Sequence, residues 1–566
     1  MAERTLRPVG LGVGDPRSTI VANPTDKRLA FLVLLLTPLL AWLMFPARQA
    51  PECALFFGVP ALWWATKAPA WRLYGWTLWA SWSAAWLLLL AWLFHVTVVG
   101  TVLLAVFLGA LTTLWFLAAR WALPRAAART AAARVVAMLG LAALWVVGEW
   151  VRGWLFTGFP WLTLAASQWR RPLMLALCPY TGAHGVSFLL ILMNLGFTAW
   201  LVRMSTVRHD ARRRWFTVEF SVAFAALLAG TLGMAGDLLH QRRKEWVRVG
   251  IVQPYIPQSL KWDVMAANEI LDVLERETAK VAVLRPDLFL WPEAAGPYSL
   301  KQVPELQLWF EGNARRVGSP IVAGVVVVED TRRPTERWFN AAIVVDAERG
   351  LQADYYAKRH LVPFGEYVPL RPVFGWLRKF VPIGDDFQRG ATAAPLTIST
   401  EHQSVTAGVL LCYEDVFADL SRESVRAGAE VLVNLTNNAW FGEGAAAYQH
   451  AAHSALRAAE TRRPVVRCGN GGWSGWFDEF GGLREELRDE RGSVYFRGGG
   501  VVTLSRDERW VGRLTPYVMF GDWFVGVCAV LASLAAWRVS RQVPEKGPGQ
   551  STASGRTEPV AGNRCD

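Results

Sequence analysis

Apolar stretches long enough to cross a bilayer stand on both sides of a mixed block, residues 245–513, and no soluble fold absorbs that pattern. A hydrocarbon core about 30 Å thick takes ~20 helical residues, with ~17 as a lower limit. Residues 29–45, 73–94, 98–119, 185–202 and 520–537 reach that length, the last with Asp522 near its start. Residues 135–151, which include Glu149, and 220–236 also fit, whereas 53–66 is short and holds Pro60. Eight spans are therefore expected. The composition agrees, since 53% hydrophobic residues with 19% charged is too apolar for an ordinary soluble multidomain chain.

Basic residues resist translocation, so their distribution tests the parity of that count. With the N-terminus inside, the inner segments collect sixteen Lys and Arg, among them Arg28, Arg120 and Arg212 to Arg214, whereas the outer short loops hold Arg48, Arg152, Arg170 and Arg171. This predicts seven spans before the mixed block, which then faces outward. Positive inner loops also account for much of the net charge of +12, and no aromatic-basic motif points to nucleic acid. A polar stretch of 28 residues precedes the first span with no small-residue cleavage site after it, so that span is expected to act as an uncleaved anchor. The reading divides the chain into a cytoplasmic tail 1–28, a seven-helix membrane domain 29–240, an extramembrane domain 245–513, an eighth transmembrane helix 516–538 and a disordered tail 539–566. The thirty tryptophans fit interfacial belts.

Within 245–513 short apolar runs alternate with amphipathic stretches, the sign of an α/β or layered α+β domain. Strands are predicted at 247–255, 287–291, 321–328, 341–345, 351–358, 405–411, 431–436, 464–468 and within 494–504, with helices over 262–284, 416–427 and 445–462. Glu293, Lys358 and Cys412 then fall just past strand ends, which in one sheet converge on a single edge. The six cysteines show no CxxC and no Cys/His metal spacing, so neither a metal nor a cofactor is expected.

A free thiol has a pKa near 8.5 and reacts as its thiolate, so it needs a base or a cation beside it. Glu293 can take the thiol proton and return it to a leaving group, while the Lys358 ammonium can hold the oxyanion of a tetrahedral intermediate. Outside that trio the expectations are structural. Glu149 and Arg152, three apart on one helix, are expected to pair, His360 to pack, and Thr157 to Trp161 to form a kinked interfacial loop.

The order Glu, Lys, Cys in Trp291-Pro-Glu293, Lys358 through Phe364-Gly-Glu366 and Cys412-Tyr-Glu414 resembles the nitrilase superfamily. The stretches Gln258-Ser-Leu-Lys-Trp262, Asn434 through Trp440-Phe-Gly442, Thr515-Pro-Tyr517, Glu149-Trp-Val-Arg152 and Thr157-Gly-Phe-Pro-Trp161 narrow the resemblance to the apolipoprotein N-acyltransferase family. The sequence departs from that pattern at Asn438, where Asp is usual, at Ala418, where Pro is common, and in the glycine-rich Gly469 to Trp473.

The resemblance implies a multi-span α-helical bundle carrying a nitrilase-like αββα sandwich. It further implies a monomer in the bacterial inner membrane with the sandwich in the periplasm. The implied reaction moves an acyl chain from a phospholipid to the amine of a diacylglyceryl lipoprotein through a cysteine thioester. Cys412 would be the nucleophile, Glu293 the base and Lys358 the oxyanion cation. Glu366 would support the site, Tyr413 and Glu414 would flank the nucleophile, and Trp262 would line the substrate path. The same trio would also serve a membrane-tethered carbon-nitrogen hydrolase of small amides or nitriles, with water as the acceptor.

Overall fold

The computed structural model describes residues 24–541 except 49, 207–215, 234, 262, 301–302, 330–335 and 370–385, of which Pro372 and Gly375 are described. Trp262 and most of both expected tails lie outside the described residues. Among the described residues six helices are long and apolar enough to cross a membrane: Thr25–Met44, Val98–Ala127, Ala131–Trp154, Ala183–Thr206, Val218–Leu239 and Trp523–Ser540. The remaining two expected spans take other forms. Trp71–Leu89 is a 19-residue helix outside that set, its apolar character diluted by Arg72 and five tryptophans. Residues 53–66 contain an eight-residue helix, Val59–Thr66, about 12 Å long. Yet this segment still runs back along the whole first helix. Ala50 N donates to Leu43 O at 3.3 Å at one end, and Trp64 Nε1 donates to Asp26 Oδ1 at 3.0 Å at the other.

The extramembrane block forms two six-stranded sheets, ordered β12-β1-β2-β3-β4-β5 and β11-β10-β9-β8-β7-β6. Their strands are β1 Arg243–Gln253, β2 Leu288–Trp291, β3 Ile321–Glu329, β4 Arg337–Asp346, β5 Gly350–Ala357, β6 Leu396–Ser399, β7 Ser404–Leu411, β8 Val431–Asn437, β9 Val465–Asn470, β10 Gly475–Phe477, β11 Leu483–Glu486 and β12 Gly498–Asp507. The centre of each sheet is parallel, β1-β2-β3 in one and β7-β8-β9 in the other. Parallel strands covered on both faces need continuous apolar runs, and β2 (Leu-Phe-Leu-Trp) and β8 are buried at every residue.

Alternate residues of the two sheets face each other in one core, where Ile251, Leu290 and Val344 lie among Val409, Leu411 and Val433. Outer helices complete four layers. Ala267–Ala282 and Pro304–Val317 share a core with the outer face of the first sheet. Pro304–Val317 is a helix beyond those predicted from sequence; its start is set by Pro304 at its first turn and its end by Gly318 in the left-handed conformation.

Helix Ala445–Thr461 lies between the second sheet and the membrane bundle and is buried along nearly its whole length. Its seven core alanines are small enough for close approach on both sides. Gln449 fastens it: Oε1 accepts from Trp92 Nε1 and Trp161 Nε1, both at 2.9 Å, and Nε2 donates to Leu89 O at 3.0 Å. The outer face of the second sheet and the bundle therefore share one packed core.

Candidate active site

Three strand ends bring the chemistry together. Glu293 follows β2, Lys358 follows β5 and Cys412 follows β7, all at the carboxyl-terminal edges of their sheets. Glu293 Oε1 accepts from Lys358 Nζ at 3.2 Å and from Asn340 Nδ2 at 2.8 Å, while Oε2 accepts from the backbone N–H of Asn437 at 3.1 Å. Since Asn437 ends β8, that last bond joins the two sheets across the site. Gly324 of β3 lies against the Glu293 backbone, where an added Cβ would stand 2.5 Å from Glu293 Cα and 2.7 Å from Pro292 O. Neither atom can swing away. Gly324→Ala is expected to cost about 1–3 kcal/mol of stability and to displace the carboxylate, lowering turnover up to about 10²-fold. Thermal denaturation read beside kcat checks both.

Lys358 is buried to 1% exposure and also donates to Glu366 Oε1 at 2.9 Å. Burial alone would disfavour its charge, but the Glu293 and Glu366 carboxylates outweigh it and hold the ammonium well above the ordinary lysine range. Two of its three N–H bonds are thereby committed, leaving one to point elsewhere. Glu366 is fixed in turn by Asn340 Nδ2 at 2.7 Å and by the Val362 N–H at 2.8 Å.

Cys412 sits in the left-handed region, with φ of 51°, and opens a short 3-10 turn, Cys412–Val416. That conformation costs a non-glycine residue about 1–2 kcal/mol. Its carbonyl is held by Asn434 Nδ2 and His450 Nε2, each at 3.0 Å, and its sulfur accepts from Thr436 Oγ1 at 3.2 Å. Burial, and after it the Glu293 charge, pushes the thiol up to about 12. Glu293 responds oppositely. Burial would raise it, but the Lys358 charge and the hydrogen bonds from Asn340, Lys358 and the Cys412 thiol hold it below its ordinary value. At rest the site is a thiol facing a carboxylate beside an ammonium.

Glu414 and Asp415 lie behind the nucleophile with no exposure. Glu414 Oε1 accepts from the backbone N–H of Arg359 at 2.6 Å and of His360 at 3.0 Å, and Oε2 accepts from Tyr356 O–H and the Leu411 N–H, both at 2.8 Å. One carboxylate thus fastens the Lys358 segment to the Cys412 elbow. Asp415 contacts His450 Nε2 at 2.8 Å, accepts from Ser454 Oγ at 2.6 Å and pairs with Arg467. Burial opposes its charge, but His450 and Arg467 hold it well below the ordinary carboxylate range. Lys261 Nζ donates to Glu293 O at 3.1 Å, and burial brings that amine down to about 8.

The membrane loop reaches this elbow. Tyr413 O–H donates to Gly158 O at 3.5 Å, and Trp161 stacks 6.2 Å from Tyr413. His360 stacks on Phe417 at 3.7 Å and is drawn down to about 4 by burial and by the charges of Arg389 and Lys358, which leaves it a neutral packing group. Glu149 and Arg152 do not pair as the sequence suggested; among the described residues no ion pair joins them. Glu149 accepts from Leu164 N at 2.7 Å and Arg152 donates to Trp161 O at 2.9 Å, so both hold the loop instead. Unsatisfied backbone groups of a kinked loop compete successfully for charged side chains.

Residues 248–502 match the family described as carbon-nitrogen hydrolase. Residues 38–196 match the apolipoprotein N-acyltransferase N-terminal domain. An apolipoprotein N-acyltransferase of Geobacter metallireducens is 33% identical over 69% of this chain and 73% of its own length. The chain belongs to the apolipoprotein N-acyltransferase family. That family's protein from Methylococcus capsulatus is also 33% identical, over 69% of this chain and 72% of its own. An amidase from Nesterenkonia sp., a solved structure, is 17% identical, covering 51% of this chain and 98% of that one at a TM-score of 0.35.

Of the residues expected from sequence, the structure brings Glu293, Lys358, Cys412 and Glu366 into one cluster with Tyr413 and Glu414 beside it. Asn340, Asp415, His450 and Arg467 are further site residues that the sequence does not single out, and Thr436 and Lys261 lie in stretches that carry the resemblance without a role of their own. A sequence signal for Asn340 and Arg467 is a polar residue inside or beside an otherwise apolar run, such as Asn340 ahead of Ala341 to Val345.

Proposed function

We propose that this chain transfers an acyl chain from a phospholipid to the N-terminal amine of diacylglyceryl-cysteine lipoproteins. The proposed setting is a bacterial inner membrane, with residues 245–513 on the periplasmic side and both tails cytoplasmic. The observation that carries the reading is the thiol, carboxylate and ammonium gathered where the membrane loop Gly158 to Trp161 meets the sandwich. Both substrates are lipid-anchored, and drawing them into water would cost about 0.8 kcal/mol per CH2. A site at the bilayer surface avoids that.

In the first step Cys412 Sγ bonds to the ester carbonyl carbon as its proton passes to Glu293. The free N–H of Lys358 and the backbone N–H of Tyr413 stabilise the oxyanion. The C–O bond to the glycerol breaks, Glu293 returns the proton, and a lysophospholipid leaves a thioester on Cys412. In the second step the acceptor amine attacks that thioester, its proton goes to Glu293 and on to the departing sulfur, and the amide and free thiol remain. Glu366 and Asn340 keep Lys358 and Glu293 in register, and Trp262 is assigned to the substrate path.

Incubation with phospholipid and a diacylglyceryl peptide tests this. Intact mass should show one acyl group on Cys412, with lysophospholipid and N-acyl peptide rising together. Free fatty acid without N-acyl peptide would instead favour a hydrolase. The half-reactions should also respond differently to pH. Acylation needs Glu293 charged and Lys358 protonated, so its acid limb should lie below the ordinary glutamate value of about 4.3. Transfer needs a neutral acceptor amine and should climb through about pH 7.7–8.0.

A further inference from the structure

At the opposite end of β1 from the catalytic trio, Arg170, Arg243 and Arg484 converge on a cavity of about 350 Å³ that Asp478, Leu238 and Phe480 also line. The cations outnumber the anion. Asp478 Oδ2 accepts from Arg243 Nη2 and Arg484 Nε, both at 2.5 Å, and Arg170 reaches Glu486 only at 3.4 Å. Two guanidinium groups thus share a single carboxylate oxygen, and the third has only a long contact.

A second cavity, about 90 Å³, shares Arg170 and is walled by Met44, Phe45, Trp169 and Arg171. Met44 ends the first membrane helix and Leu238 lies near the end of the span Val218–Leu239. The two cavities thus lie on either side of Arg170 at the level where two spans leave the bilayer, with Met44, Phe45 and Trp169 supplying apolar wall on the second. A phosphodiester offers paired oxygens that suit guanidinium forks, and the Met44, Phe45 and Trp169 side chains suit the glycerol next to it.

We infer that these neighbouring cavities bind the head of one anionic phospholipid, its phosphodiester on Arg170, Arg243 and Arg484 and its glycerol end beside Met44, Phe45 and Trp169. This is not the donor subsite. β1 runs eleven residues from Arg243 to Gln253, about 35 Å, and Glu293 lies past the end of its parallel neighbour β2. The lipid bridges the loop at Arg170, the start of β1 and the β10-β11 turn, and so ties sandwich to bundle. The inference rests on the outward topology proposed above and not on acyl transfer.

Native mass spectrometry of the full-length protein, after exposure to phosphatidylglycerol, phosphatidylcholine or inorganic phosphate, tests it. The readout is a whole non-covalent lipid, distinct from an acyl increment on Cys412. One phosphatidylglycerol should be retained about tenfold more than phosphatidylcholine. The double variant Arg170→Gln/Arg484→Gln should lower that retention about tenfold or more, as expected for lost charge-assisted contacts. Arg170→Lys/Arg484→Lys keeps the charge and should stay within about threefold of the parent. Equal retention of the two lipids, or undiminished retention by the Gln pair, overturns the site. Displacement of phosphatidylglycerol by inorganic phosphate alone overturns its assignment to a lipid.

Discussion

Replacing Glu293 by Gln is expected to slow acyl-enzyme formation by about 10²–10⁴-fold, while the thiol it serves becomes more acidic. The two effects run in opposite directions because the carboxylate has two roles. As a base it must receive the Cys412 proton. As a charge it is the second cause, after burial, that keeps the resting thiol up at about 12. The amide removes both, and Lys358 keeps its second carboxylate, Glu366, so the cation remains beside the sulfur. Appearance of the acyl mass on Cys412 measures the first effect. The pH dependence of alkylation by iodoacetamide measures the second. A thiol pKa unchanged in Glu293→Gln would show that sulfur and carboxylate are not in contact and would remove the proposed base.

Glu414→Ala should be the most damaging substitution that touches none of the reacting atoms. Glu414 accepts from the Arg359, His360 and Leu411 N–H groups and from the Tyr356 hydroxyl, all within 2.6–3.0 Å. Each donor left buried without a partner costs about 1–3 kcal/mol, so the sum is a large part of the stability of a typical domain. The Lys358 segment should detach from the Cys412 elbow. Thermal denaturation should shift downward by about 2–4 °C per kcal/mol lost, and amide exchange at residues 359–361 should accelerate. Glu414→Gln keeps the volume but turns an NH2 toward donors, and should fall between the two. A melting temperature unmoved in Glu414→Ala would refute this account of what joins the two segments.

Much of the site could be read from the chain because strand ends are local. The apolar runs of β2 and β7 stop at Trp291 and Leu411, and the chemistry follows within two residues of each. What escaped was the scaffolding around it. Asn340 meets Glu293 across 47 residues, and Arg467 meets Asp415 across 52. Such pairs leave no periodic trace, because a single polar residue inside an apolar strand looks the same whether its partner is present or absent. Pairing Glu149 with Arg152 failed for a related reason. Spacing on a helix says which side chains can meet, but not that a neighbouring loop holds better partners.

The sequence by itself determined the membrane-spanning character, the strand and helix periods and the order of the reactive residues, since burial in lipid or between layers demands apolar residues at a fixed spacing. The tertiary structure alone decided the left-handed turn at Cys412, the docking of the Gly158 to Trp161 loop on Tyr413, and the return of residues 50–64 along the first helix. These depend on hydrogen bonds between segments far apart in the chain, whose energy exists only once the layers have packed and water has been excluded from between them.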